Sequence, residues 1–389
     1  SMTISENNDT INDILRSVES ICKEFPEKYW LEMDRLQAYP TSFVDTLTKS
    51  GYLNVLIPTE YGGAGLNLYT AAKILEKIHE CGCNASAAHA QMYTMGTLLK
   101  YGTSSQKETW LTQIAEGKLR LQAFGVTEPD AGTDTSSIQT TAEKKGDKDI
   151  VNGQKIWTSR ALYSDLMVLL ARTKPKNEIK SRSDGLSLFL IDIRKCQGNG
   201  LTIKPIETMI NHSTTEIFFN DLEIPQSSLI GIENQGFKQV LNSMNAERIL
   251  IAAECIGDSN WFIRKAVDYA KNRTVFGKQI GKNQGVQFPL AKCYAETAAA
   301  KLAVFHAARQ YDDGINCGTE ANLAKLLAAE ASWNSANACL QTHGGFGFAK
   351  EYHIERKFRE TRLYQVAPIS TNFILSYISE HELGLPRSF

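Results

Sequence analysis

Apolar residues recur along this chain at two different periods, and the change of period divides it into three stretches. From residue 11 to about 117, Ile11, Ile14, Leu15, Val18 and Ile21 recur at helical spacing, as do Ala72, Ile74, Leu75 and Ile78. The run at 58–65 (PTEYGGAG) interrupts them as a loop. His89, with Met92 and Tyr93 on the next turn, falls in the following helix and reads as a core residue more readily than as a catalyst. Between 121 and about 233 the period shortens to that of strands. The segments 166–171, 186–193 and 216–219 are short, apolar and bounded by Gly, Asp, Asn or Pro, which predicts a compact β domain, with the charged run 175–183 as a solvated hairpin loop. Helical patterning returns from Gly236. Ala-rich stretches at 295–308 and 321–338 have the small-residue faces of closely packed helices. The expectation is an α+β chain, mainly α, with domains at 1–120, 121–233 and 234–389.

One stretch, 125–159, carries the densest chemistry. Val126-Thr127-Glu128-Pro129-Asp130-Ala131-Gly132-Thr133-Asp134 concentrates turn formers, which leave amide N–H groups and hydroxyls free for a ligand. Asn152-Gly153, between Ile150-Val151 and Lys155-Ile156-Trp157, predicts a hairpin turn that would hold Trp157 and Thr158 on a rigid ladder. An indole beside hydroxyl and amide donors suits a planar heteroaromatic ring such as a flavin. An ordinary hairpin with a core tryptophan fits the same residues.

Composition narrows the classes. The 389 residues, 42% apolar, suffice for a large core in two or three domains. A net charge of −1 supplies no basic field for nucleic acid or an anionic membrane. No apolar run approaches the roughly 20 residues of a membrane span, and the polar N-terminus lacks a signal-like apolar segment. A soluble, cytoplasmic protein with no nucleic-acid or membrane partner is expected, and Ser1 ahead of Met2 reads as a residue left by cloning. The eight scattered cysteines lack CxxC spacing and read as reduced, buried thiols. Cys81-Gly82-Cys83 is too tight for a typical zinc pair and HExxH is absent, so no metal is expected.

Glu247 is the anomaly of the helical C-terminal third. Val240, Met244 and Ile251 form an apolar stripe, and Glu247 falls on it, three residues after Met244 and four before Ile251. An inward carboxylate costs several kcal/mol unless paired or protonated. Burial raises its pKa toward what a general base for a weakly acidic C–H requires. An ion pair with Arg248 or a lysine of a facing helix explains it equally well, and Glu254, seven residues on, is the internal competitor.

The 126–134 run, followed by Asn152-Gly153-Gln154-Lys155-Ile156-Trp157-Thr158, resembles the flavin-binding signature of the acyl-CoA dehydrogenase family. Arg273-Thr274-Val275-Phe276-Gly277-Lys278-Gln279-Ile280 and Gln341-Thr342-His343-Gly344-Gly345-Phe346-Gly347 carry the same resemblance, as does the PTEYGGAG loop. It implies an N-terminal helical domain, a middle β-barrel domain, a C-terminal four-helix-bundle domain, FAD, and a homotetramer in which some cofactor contacts cross a subunit boundary. By motif, Val126, Thr127, Trp157 and Thr158 would contact the isoalloxazine. Arg273 would bind the pyrophosphate, Asn283 and Gln284 would follow in the FAD set, and Gln341, Gly344 and Gly345 would approach the adenosine. Ser370 and Asn372 resemble the family's T-S-Q segment; Thr133 corresponds to a position near CoA, and Asn245 and Arg248 would flank the acyl group.

In many members the base is a glutamate on the loop before the last helix, in a motif like Y-E-G-T. The matching segment here is Val366-Ala367-Pro368-Ile369-Ser370-Thr371-Asn372, with Pro368 in the glutamate's place. In the isovaleryl-CoA and long-chain branches the base lies on the helix just before an arginine, which Glu247-Arg248 resembles. The resemblance therefore selects Glu247 to remove the α-proton of an acyl-CoA while the β-hydride passes to flavin N5, giving trans-2-enoyl-CoA. Electrons would leave to an electron-transfer flavoprotein. The family's second hydrogen bond to the thioester carbonyl comes from the N–H at the loop position; Pro368 has none, so that donor falls to Ile369 or a neighbour. The same fold would also serve an acyl-CoA oxidase or flavin monooxygenase using O2, a dehydrogenase of carrier-protein thioesters, or a low-turnover flavin-binding stress protein.

Overall fold

The computed structural model describes residues 4–131 and 134–388. The helices that build the site are α1 (Ile4–Lys23), α2 (Leu68–Glu80), α3 (Ser86–Tyr101), α4 (Gly236–Asn272), α5 (Gln284–Asp312), α6 (Gly318–His343), α7 (Ile354–Arg362) and α8 (Thr371–His381). The strands are β1 (Leu121–Gly125), β2 (Thr141–Lys145), β3 (Lys148–Ser159), β4 (Leu166–Arg172), β5 (Leu186–Asp192), β6 (Leu201–Pro205), β7 (Thr214–Pro225) and β8 (Leu229–Ile230). The chain divides into two compact units: one holds residues 1–36, 67–85 and 245–389, the other 37–66 and 86–244.

The second unit is built on a mixed sheet of order β6-β7-β3-β2-β4-β5-β8, with β1 parallel to β4. Among the described residues no pairing joins β6 to β8, so the strands form this mixed sheet where a barrel was expected. β4 is buried throughout because both faces of the sheet are covered. Leu166, Val168 and Leu170 enter one core with Met95 and Leu98 of α3, while Met167, Leu169 and Ala171 enter the other with Ile217 and Phe219 of β7. Successive side chains of a strand point to opposite faces, which is why an unbroken apolar run here is a strand and not a helix.

The Asn152-Gly153 pair is not a turn. β3 runs straight through it, and the reversal lies at Gly146-Asp147, a two-residue loop between Lys145 and Lys148. Gly146 has φ +64° and Asp147 does not share it, the pattern of a turn with glycine at its first central position. Asn152 instead exchanges hydrogen bonds with Asp221: its Nδ2 donates to Oδ1 at 3.0 Å, and the Asp221 N–H donates to Asn152 Oδ1 at 2.8 Å. Gly153 is glycine because the chain passes close by: an added Cβ would stand 2.4 Å from Thr140 Oγ1 and 2.7 Å from its Cα.

The first unit is helical apart from a short ribbon at 274–279. α5 packs on α6, α6 on α7, α1 on α2, and α2 on α5. Alanines at 300, 307, 321, 324 and 328 are buried, and small side chains let helix axes approach closely. Asp258 of α4 sits at the centre of a buried polar network. It accepts from Lys357 Nζ at 3.0 Å and Thr361 Oγ1 at 3.1 Å and meets His79 Nδ1 at 2.8 Å, so one carboxylate ties α2, α4 and α7 together.

Replacing Gly153 by alanine should destabilise the protein by about 1–3 kcal/mol, since the new methyl meets backbone that cannot move aside. Chemical denaturation followed by tryptophan fluorescence would read this as a lower midpoint; an unchanged midpoint would contradict a continuous β3.

Candidate functional site

In the second unit, two buried groups lock the turn after β1 onto β3. Lys155, wholly buried, donates from Nζ to the Val126 carbonyl at 2.9 Å and to Glu128 Oε2 at 2.8 Å. Glu128 also accepts the N–H groups of Gln139 and Thr140, at 2.6 and 3.1 Å. The Ile156 N–H donates to the Thr127 carbonyl at 2.9 Å. Burial pulls the Lys155 ammonium down to about 8 against the attraction of Glu128. Burial opposes the Glu128 carboxylate too, yet Lys155 and the Gln139 N–H bring its pKa below the ordinary value.

The lock leaves Val126 and Thr127 beside Trp157 and Thr158. The β3–β7 register shifts between Lys155 and Thr158, and within that bulge Trp157 has φ +60° with 57% of its surface exposed. A bulky residue at positive φ is strained, and such strain gathers at binding sites. Thr158 is buried, and among the described residues its hydroxyl has no hydrogen-bond partner. A planar heteroaromatic ring fits both features: it can stack on the exposed indole, and its polar edge can satisfy the orphaned hydroxyl. Thr133 lies outside the described residues.

The first unit contains a cavity of about 570 Å³ lined by Tyr269, Arg273, Thr342, Gly344, Gly345 and Phe346, among others. The Arg273 guanidinium stands 5.6 Å from the Phe346 ring centroid, and among the described residues it makes no ion pair. Gly344 has φ +59°, and a Cβ added there or at Gly345 would meet nothing within 4 Å. An unpaired arginine beside open backbone suits a phosphate-bearing group that needs a close approach. Gln341 is exposed on the last turn of α6, while Asn283 and Gln284 open α5, exposed and outside the cavity lining.

The two glutamates of α4 differ sharply. Glu254 is fully buried, accepts from Tyr364 Oη at 3.3 Å and lies 3.5 Å from His79 Nε2. Glu247, with Asn245 and Arg248, is half-buried. Burial lowers the Arg248 pKa, and Glu247 works against that shift. Ser370 caps α8 by accepting the Phe373 N–H at 3.1 Å, and Asn372 is exposed in its first turn.

Two lysines escape the sequence reading. Lys155 shares strand parity with Val151 and so had to point inward. Lys325 falls four residues after Ala321 and four before Ala329 on the apolar face of α6, the same wrong-face signal that marks Glu247. Lys155 lies within the recognised motif, which says nothing of its burial, and Lys325 lies outside the motifs.

Among the described residues no side-chain cluster could hold a metal ion, and no helix is long and apolar enough to cross a membrane. Three sequence models match in order: the acyl-CoA dehydrogenase N-terminal domain over residues 8–118, the middle domain over 123–222 and the C-terminal domain over 234–378. The chain belongs to the acyl-CoA dehydrogenase family of oxidoreductases and has its three-domain fold. It is 33% identical over 379 residues to acyl-CoA dehydrogenase FadE12 of Mycobacterium tuberculosis, covering 96% of each chain. It is 30% identical over 370 residues to the caffeyl-CoA reductase-Etf complex subunit CarC of Acetobacterium woodii, covering 94% of this chain and 95% of that one. The FAD complex of PigA superposes with a TM-score of 0.89 at 25% identity over 99% of both chains.

Lys155→Met should cost about 3–5 kcal/mol, because it leaves Glu128 buried without its counter-charge. The double variant Lys155→Met/Glu128→Gln should recover part of that loss. A double-mutant cycle on thermal midpoints reads the coupling; additive losses would contradict the lock.

Proposed function

We propose that this chain is an FAD-dependent dehydrogenase of saturated acyl-CoA thioesters, forming the trans-2-enoyl product by α,β-dehydrogenation. The observation that carries the reading is the exposed Trp157 indole beside the partnerless Thr158 hydroxyl. The family membership and the likeness to a protein solved with FAD support it. In this reading the chain acts as three domains, 1–120, 121–233 and 234–389, the last a four-helix bundle.

FAD, when bound, would accept the substrate's β-hydrogen as hydride at N5. Val126, Thr127, Trp157 and Thr158 hold the ring, with Ser370 and Asn372 in the same set. Arg273 binds the pyrophosphate, Asn283 and Gln284 belong to the same cofactor, and Gln341, Gly344 and Gly345 take the adenosine end. Thr133 lies along CoA, and Asn245 and Arg248 flank the acyl chain. Glu247 takes the α-proton. Its competitor Glu254 is committed to Tyr364 and His79 inside the helical unit, whereas Glu247 remains half-exposed and so within reach of a ligand. On the likeness to CarC, an electron-transfer flavoprotein receives the electrons, and the family pattern makes the working assembly a homotetramer.

The test is anaerobic stopped-flow absorbance with a panel of saturated acyl-CoAs and carrier-tethered thioesters. Wild type should bleach the flavin band, and Glu247→Gln should slow bleaching by about 10²–10⁴-fold, the usual contribution of a general base. Unchanged bleaching in the variant would remove Glu247 from the role, and no bleaching with any thioester would overturn the reading. Reoxidation should be slow in air and fast with an electron-transfer flavoprotein; the reverse would favour an oxidase.

A further inference from the structure

Lys325 is a lysine whose side chain is fully buried, and among the described residues no carboxylate lies within salt-bridge distance of it. Its Nζ donates to two backbone carbonyls, that of Tyr364 and that of Ile369, the latter at 3.1 Å. These carbonyls stand at the two ends of the segment Gln365 to Pro368. An ammonium held in the interior by carbonyls alone is costly, so a side chain placed this way demands a reason. Burial draws it down to about 8, with Glu247 and Arg248 acting on it in opposite senses.

The peptide it grips has a second end. In a trans peptide the C=O and the N–H point in opposite directions, so fixing the Ile369 carbonyl also fixes the Ser370 N–H, aimed away from Lys325. That N–H has no acceptor among the described residues, and neither does the N–H of Ile369. The Ser370 hydroxyl is already engaged in capping α8. Pro368, two residues earlier, cannot donate. The segment therefore offers free amide donors immediately after the proline, held at a set angle by one buried ammonium.

We propose that Lys325 is a positioning residue: by gripping the carbonyls on both sides of Gln365 to Pro368, it aims the Ser370 N–H to hydrogen-bond the thioester carbonyl, the contact Pro368 cannot make. This rests on the thioester reading above. A donor aimed at the carbonyl oxygen stabilises the enolate formed when the α-proton leaves, and so favours that proton's removal.

The test uses the flavin-loaded protein and an acyl-CoA carrying sulfur at the β position. Such a ligand loses its α-proton but cannot complete dehydrogenation, and its bound enolate gives a long-wavelength charge-transfer band with oxidised flavin. The pH midpoint of that band should rise in Lys325→Met by at least about one unit, a tenfold loss of enolate, while ligand affinity at low pH changes little. Lys325→Gln, which keeps one donor, should fall between Met and wild type, and it carries the test alone if the methionine variant does not fold. A band in wild type with an unmoved midpoint in the variants would overturn the role of Lys325 and leave the dehydrogenase reading intact. Absence of the band in wild type at every pH would overturn both.

Discussion

A single buried ion pair governs the shape of the sheet-based unit. Lys155 holds the Val126 carbonyl and the Glu128 carboxylate against β3, and with the Ile156 N–H on the Thr127 carbonyl it keeps the turn after β1 on the strand. The pair is costly in isolation, since both charges leave water. It is tolerated because each charge is satisfied more than once: Lys155 by a carbonyl and a carboxylate, Glu128 by an ammonium and two backbone N–H groups. The strain at Trp157 becomes sustainable for the same reason, because the residues on both sides of it are over-determined.

The helical unit uses the same device. Asp258, His79 and Lys357 are buried charges or polar groups that satisfy one another, with Glu360 and Thr361 completing the set. Their effect on the proposed chemistry is indirect. Glu254 of α4 joins this set through His79 and Tyr364 and is fully buried, whereas Glu247 is half-buried.

The helices were legible from periodicity because an amphipathic face repeats over many residues; α1 and α2 run through the residues that predicted them. The apolar strands were equally plain, since β4 and β5 begin at the expected residues. Asn152-Gly153 misled for a physical reason. A glycine in a strand can mark a turn or a close approach of backbone, and only the tertiary position of Thr140 decides between them. Of the candidate site, the residues that would face a ligand could be named from the motifs, whereas the buried pairing of Lys155 with Glu128, both within those motifs, and the burial of Lys325 could not. The partners of Lys155 and Lys325 lie 27 to 44 residues away, beyond any local pattern.

The division of the chain has a consequence for how the protein is made. The sheet-based unit is complete in sequence at residue 244, whereas the helical unit owns residues 1–36 and 67–85 and then waits for 245–389. During synthesis, Ala71, Ile74, Leu75 and Ile78 of α2 emerge long before α5, against which that helix packs. A ribosome that has just finished the sheet-based unit therefore carries three helices, Ile4–Lys23, Glu27–Leu36 and Leu68–Glu80, whose partners in the last third of the chain are not yet made. Their apolar faces must be sheltered by one another, or by a chaperone, until the last third of the chain arrives.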